Sequence, residues 1–153
     1  MVNVNIKNPD IFRNYEILET YIAGVELYGF EVKSLFFNRG SLKGSYISFY
    51  KGEMFIKNFF IPPYQEKNIF ISYDPYRPRK LLLLKKQIAY LYQQTREKNK
   101  TIIPLRVFNK NRLIKIEIAL VKSLKKYEKR FKIKEREFKK QKERLLKNYF
   151  KSK

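Results

Sequence analysis

Two short stretches hold the residues best suited to chemistry. Residues 74–85 read DPYRPRKLLLLK. Pro75 and Pro78 stiffen the backbone, and Arg77, Arg79 and Lys80 project just ahead of an expected helix anchored by its Leu run. Cations carried on a preorganised element lose little rotamer entropy when they meet a phosphate, so this spacing suits an anionic partner. A helix start carrying ordinary surface charge would read the same way. Residues 29–37 read GFEVKSLFF. Glu31, Lys33 and Ser34 stand among large apolar residues, either as the solvated back of a core helix or as groups that reach for a partner. Elsewhere aromatics interleave with cations: Phe12-Arg13-Asn14-Tyr15, Phe36-Phe37-Asn38-Arg39 and Lys126-Tyr127-Glu128-Lys129-Arg130. Ring and guanidinium faces stack on unpaired bases while cations hold phosphates, a mixture that suits RNA with splayed loops. Tyr15 and Phe36 read more naturally as core; Tyr127, in a polar setting, does not.

Composition narrows the chemistry further. With 35 Lys and Arg against 14 Asp and Glu, the chain carries a net charge of +21. Such a field opposes compaction and favours a polyanionic partner. The abundance of Lys, Asn, Ile, Phe and Tyr also fits AT-rich coding, so part of the Lys content reflects drift. Cys and His are absent, which removes thiol nucleophiles, Cys/His zinc sites and any Ser-His pair. The carboxylates show no paired or metal-ligand spacing and no Gly-rich phosphate loop is present. The expectation is a protein without enzymatic activity, metal or cofactor. No apolar run approaches the ~18 residues a membrane helix needs, and no signal peptide is evident; a cytoplasmic, monomeric protein is expected.

These side chains need elements to position them. Alternation over 15–17 and 22–27 predicts a long strand with a bulge at Ala23-Gly24. The period then changes: Tyr28, Val32, Leu35 and Phe36 fall on one face of a short helix, ended by Asn38 and Gly40. Residues 46–50 and 54–60 read as a hairpin turning at Gly52, and Ile61-Pro62-Pro63-Tyr64 breaks the sheet. Residues 79–94 read as a helix, and 101–108 and 113–121 as two strands joined by Asn109-Lys110-Asn111-Arg112. Five or six strands with interspersed helices predict a mainly β fold, a small closed OB-like barrel with flanking helices. An open α+β sheet competes with it.

Charge divides the chain near Lys122, giving a body over 1–121 and a basic tail over 122–153. The tail holds 15 Lys and Arg against 4 Glu, net +11. Its apolar stripe of Tyr127, Phe131, Phe138, Leu145 and Tyr149 is too sparse to offset the entropy of ordering. The tail is therefore expected to be disordered alone and to fold as a helix on a polyanion. A protruding solvated helix or half of a coiled coil are the alternatives.

Taken in order, GFEVKSL (29–35), SY (45–46), GE (52–53), IPPY (61–64), DPYRPRKLLL (74–83), TIIPL (101–105) and KKYEKR with IKEREF (125–138) resemble small protein B, the bacterial partner of transfer-messenger RNA in ribosome rescue. The resemblance spans about residues 8–150. It implies an OB-like barrel that binds the tRNA-like end of transfer-messenger RNA and delivers it to stalled ribosomes. Elongation factor Tu and alanyl-tRNA synthetase are implied as indirect partners, and the tail is implied to lie as a helix in the empty messenger channel of the small subunit.

Carried over by position, the resemblance implies RNA contacts for Arg13, Tyr15, Glu31, Lys33, Ser34, Arg77, Arg79, Lys80, Lys122 and Lys125. It implies decoding-centre and channel contacts for Tyr127, Lys129, Arg130, Lys134, Arg136, Lys139, Lys140 and Arg144. Glu31 keeps two readings, orienting a neighbouring cation or accepting from a ribose or base. Departures from the family pattern fall at Arg13, Ile22, Phe36, Asn38 and the hinge Ser123-Leu124-Lys125. Ile22 and Leu124 stand where help in holding RNA is expected, so affinity there is redistributed or the RNA partner is itself diverged. Two other functions compete: a structural ribosome-associated protein, and an enzyme acting on RNA.

Overall fold

A computed structural model describes residues 3–9, 15–65, 72–124 and 134–145. Seven strands form one antiparallel sheet: β1 (Asn5–Lys7), β2 (Tyr15–Val25), β3 (Tyr46–Tyr50), β4 (Glu53–Lys57), β5 (Arg79–Leu82), β6 (Lys100–Lys110) and β7 (Leu113–Ser123). Their order across the sheet is β1-β6-β7-β2-β5-β4-β3. Helix α1 (Gly29–Phe36) follows β2, and α2 (Lys85–Thr95) joins β5 to β6. Residues 134–145 form a third helix, α3. Although β3 ends the order at one side, it packs back against β6, near the other side.

The turns follow from local chemistry. Lys51 and Gly52 both have positive φ, 50° and 77°, as a two-residue turn matching the twist of the β3–β4 hairpin requires. Asn111, with φ 56°, begins the equally tight β6–β7 turn.

Two bulges set which residues are inside. β7 alternates without a break: Ile114, Ile116, Ile118 and Leu120 face the main core, while Ala119 and Val121 join Ile103 in a small cluster on the other side. β2 shifts register against β7 between Ile17 and Glu19, and β6 shifts between Pro104 and Arg106. A one-residue insertion sends the following side chains to the opposite face. Tyr15 and Ile17 therefore cover the small cluster, whereas Tyr21, Ala23 and Val25 turn to the main core. Pro104, which has no N–H to give the ladder, stands beside its bulge.

Three expectations are corrected. The β2 bulge lies at Leu18, not at Ala23-Gly24, which pair regularly with Ile116 and Lys115. Gly24 also faces Leu82 of β5 closely, since a Cβ there would approach the Leu82 Cβ to 3.3 Å. Residues 79–94 are not one helix: Arg79 and Leu81 point inward while Leu82 points out, a period of two, and β5 pairs with both β2 and β4. The helix begins only at Lys85, where the Gln87 side chain accepts the Leu84 N–H at 3.1 Å. The strand count is seven, because the short β1 pairs with Phe108, Val107 and Arg106 of β6.

Helix α2 is latched across the sheet. Tyr21 donates to Glu19 Oε2 at 2.6 Å and Tyr90 of α2 donates to Glu19 Oε1 at 2.8 Å. Burial, with the Glu19 acceptor beside it, pushes the Tyr21 hydroxyl up to about 12.

Candidate nucleic-acid interface

The site is built where β2 leaves the sheet and α1 begins. Tyr28 precedes the helix, and its N–H donates to Glu31 Oε1 at 2.7 Å, satisfying an amide left free by the first turn. That fold-back carries the Glu31 carboxylate into the interior, where it has no solvent exposure. Arg79 arrives from β5, also fully buried, as the inward member of that strand's alternation.

Arg79 donates through Nε to Glu31 Oε2 at 2.7 Å and through Nη2 to the same oxygen. Its Nη1 donates to the Phe59 carbonyl, and its Nη2 also reaches Tyr73 Oη at 2.7 Å and the Pro75 carbonyl at 3.1 Å. Tyr73 Oη lies 2.8 Å from both Glu31 Oε2 and the Ile61 carbonyl. Arg77 completes the cluster, with Nε 3.2 Å from Glu31 Oε2 and Nη2 paired to Oε1. Burial works against the Glu31 charge, but Arg77, the Tyr28 amide, Arg79 and Tyr73 outweigh it and hold the carboxyl below its usual range. Burial and the adjacent Glu31 raise the Tyr73 hydroxyl well above its usual value.

One carboxylate thus fixes two guanidinium groups, leaving one positive charge in excess. It is expressed at Arg77, whose side chain is 24% exposed and lies 4.1 Å over the Tyr28 ring. Tyr28 is itself 53% exposed and stacks on Phe30 at 5.5 Å. Arg77, Tyr28, Lys80, Glu53, Glu26 and Phe55 line an open cavity of about 460 Å³. Lys80 points outward between the inward Arg79 and Leu81, and its ammonium pairs with Glu53 at 3.0 Å. The arrangement offers a fixed guanidinium and an exposed ring, able to take a phosphate and an unpaired base together.

The expected contact residues separate into groups. Glu31, Ser34 and Arg79 are wholly buried and present no surface to a partner in this conformation. Ser34 donates to the Pro62 carbonyl at 2.6 Å, tying α1 to the Ile61-Pro62-Pro63-Tyr64 segment. Tyr28, expected on the packed face of the helix, faces outward instead because Glu31 takes the inward position. Lys33 is exposed on α1.

Tyr15 and Lys122 lie at the opposite end of β2, about 33 Å from Val25 at 3.3 Å per residue. There Tyr15 pairs with Ser123 and Glu16 with Lys122. Tyr15 is half-buried over the small cluster, Lys122 is exposed and Leu124 is half-buried. Ile22 is 59% exposed on the outer face. Lys134, Arg136, Lys139, Lys140 and Arg144 are all on α3, where every residue is exposed. Arg13, Lys125, Tyr127, Lys129 and Arg130 lie outside the described residues. Among the described residues, no three acidic side chains come together as a metal site, and no helix is long and apolar enough to cross a membrane.

Sequence reasoning missed Tyr73 and the role of Tyr28. Tyr73 directly precedes Asp74, so the motif that drew attention to Arg77 and Arg79 begins one residue earlier than it was read.

The family model described as SmpB protein matches residues 5–148. An SsrA-binding protein of Persephonella marina is 46% identical over 140 residues, covering 92% of this chain and 91% of the relative. An SsrA-binding protein of Mycoplasmopsis synoviae is 43% identical over 141 residues, covering 92% of this chain and 95% of the relative. A solved structure described as "tmRNA-SmpB: a journey to the center of the bacterial ribosome" contains a chain of similar fold. It has a TM-score of 0.66 and 32% identity, and the match covers 85% of this chain and 94% of that one. With the match running through the segments that carry Glu31, Arg77 and Arg79, the chain belongs to the SmpB family of SsrA-binding proteins.

Proposed function

We propose that this chain is an RNA-binding adaptor of trans-translation. It binds the tRNA-like domain of transfer-messenger RNA and brings it to ribosomes stalled on broken messages. The observation that carries this reading is the Glu31 cluster: a buried carboxylate locks two guanidinium groups and presents one of them, on a tyrosine face, at the surface of a chain with net charge +21. Charge alone binds any nucleic acid; a group held in one place by several partners can discriminate shapes. Arg77 and Lys33 touch RNA in this reading, and Glu31, Ser34 and Arg79 position them. Lys80 contributes once Glu53 releases it. Arg13, Tyr15, Lys122 and Lys125 form a second contact region at the other end of β2.

The finer architecture belongs to the same reading. The packing of β3 against β6 supports closure of the sheet into an OB-like barrel. Residues 1–121 act as the RNA-binding body and 122–153 as the tail that follows the messenger channel, with Tyr127, Lys129, Arg130 and the α3 cations as contacts. The helical state of 134–145 gains its stability there. The protein works in the cytoplasm as a monomer and makes and breaks no covalent bond itself.

The test is a competition. The labelled tRNA-like domain of the same genome's transfer-messenger RNA is bound at near-physiological salt against excess ordinary tRNA. Retained binding is expected; equal displacement by tRNA contradicts the reading.

A further inference from the structure

A second aromatic and cationic assembly stands apart from the Glu31 cluster. Phe37, at the end of α1, is 58% exposed and lies nearly parallel to Tyr64, with ring centroids 5.3 Å apart and planes 21° apart. The elements beneath are fixed: Ser34 Oγ donates to the Pro62 carbonyl at 2.6 Å, and the N–H of the fully buried Ile61 donates to the Pro75 carbonyl at 3.0 Å. Two cations bracket the rings. Lys33 Nζ is 5.9 Å from the Tyr64 ring centre and Arg39 Cζ is 5.9 Å from that of Phe37. Among the described residues neither cation has a carboxylate partner, whereas Arg77 and Lys80 both do.

An exposed Phe by itself needs no explanation. An exposed Phe backed by a stacked Tyr, held on anchored backbone and flanked by two cations, has the composition of a surface that stacks a base and holds its phosphates.

We propose that the Phe37–Tyr64 pair is a stacking site for one unpaired nucleobase of an RNA strand, with Lys33 and Arg39 on the adjoining phosphates. The proposal rests on the RNA-binding reading and adds to it a subsite of defined chemistry. An RNA base is the occupant the geometry favours over an acidic peptide, because the platform is a flat ring and Arg39, over it at 5.9 Å on a long exposed side chain, can swing to an adjoining phosphate as a base enters. From Tyr28 to Phe37 the helix rises about 13 Å at 1.5 Å per residue. At about 3.6 residues per turn the two positions also lie roughly half a turn apart around the helix, so the Phe37–Tyr64 pair is a subsite separate from the Arg77–Tyr28 stack.

The chain contains no Trp, so Phe37→Trp installs a single reporter. The full chain is titrated with single-stranded oligoadenylate of about eight nucleotides, within the usual range of single-strand site sizes, and with its duplex with oligouridylate. The expected result is quenching by the single strand and none by the duplex. A Trp placed at Leu113, which is 64% exposed on the β6–β7 hairpin, is expected to stay unquenched. Phe37→Ala is expected to weaken single-strand binding between about fivefold and a hundredfold, the usual worth of one stacked base, with an unchanged unfolding midpoint and recovery in Phe37→Tyr.

Equal quenching by duplex or by polyglutamate overturns the proposal, as does wild-type affinity in Phe37→Ala. If the wild-type chain binds the tRNA-like domain while Phe37→Ala changes nothing, only this subsite falls. If the wild-type chain binds neither RNA, the RNA-binding reading falls with it.

Discussion

The Glu31 cluster and helix α3 use the same cationic side chains in opposite ways. Around Glu31, Arg79 has no solvent exposure and every guanidinium nitrogen has an acceptor. On α3, Lys134, Lys139, Lys140 and Arg144 are exposed throughout. A cation in the first setting is part of the fold and acts by placing its neighbours. A cation in the second contributes field and salt-dependent affinity. Net charge cannot distinguish the two; burial does.

If this contrast holds, the largest change comes from removing the carboxylate. Glu31→Ala leaves the buried Arg79 without its counter-charge, and the cost is about 3–5 kcal/mol. Urea denaturation should show a correspondingly lower midpoint. Arg79→Ala follows, at about 2–4 kcal/mol, since Glu31 keeps Arg77 and the Pro75 carbonyl keeps the Ile61 N–H, but the Phe59 carbonyl loses the Arg79 donor. A loss of stability with RNA selectivity retained is the outcome that would separate a stability role for Arg79 from the direct contact that sequence suggested.

Acid provides the same test without mutation. The folded-state pKa of Glu31 is depressed, so its contribution is complete above the unfolded-state value and is lost as pH falls through the folded one. Stability should decline more steeply below about pH 4.5 in the wild type than in Glu31→Gln, as followed by thermal melts across that range. Arg77→Ala has a smaller effect on folding, about 1–2 kcal/mol, because its partly exposed charge is screened. Substituting Lys139 and Lys140 by Gln sits at the lower end, within about 0.5 kcal/mol for an exposed position. That pair should instead lower the slope of log affinity against log salt by about 1–2.

How much of this was legible in the sequence depends on the range of the interactions. The β3–β4 hairpin was readable because Lys51-Gly52 dictates its turn locally. The α1 helix was readable from the spacing of Val32, Leu35 and Phe36. Residues 79–82 were not: four consecutive leucines carry no period, and a buried Arg looks like a surface residue until its partner is known. That partner, Glu31, lies 48 residues away, so no local pattern could pair them. The β2 bulge was placed at Ala23-Gly24 by composition, yet it lies where the partner strand demands a change of face. For α3, a helix of about 12 residues without burial is marginal in water, so the disordered and helical readings of the tail differ by little free energy.

The central claim is that a positioned group on the body, rather than the charge of the tail, selects the RNA. It is tested most directly by one ratio: affinity for the tRNA-like domain of transfer-messenger RNA over affinity for ordinary tRNA, at near-physiological salt. The account predicts that Arg77→Ala collapses this ratio toward one while the folded state persists. The Lys139→Gln, Lys140→Gln chain is predicted to lose affinity for both RNAs alike and keep the ratio. The reverse pattern, with selectivity following the tail and indifferent to Arg77, would contradict it.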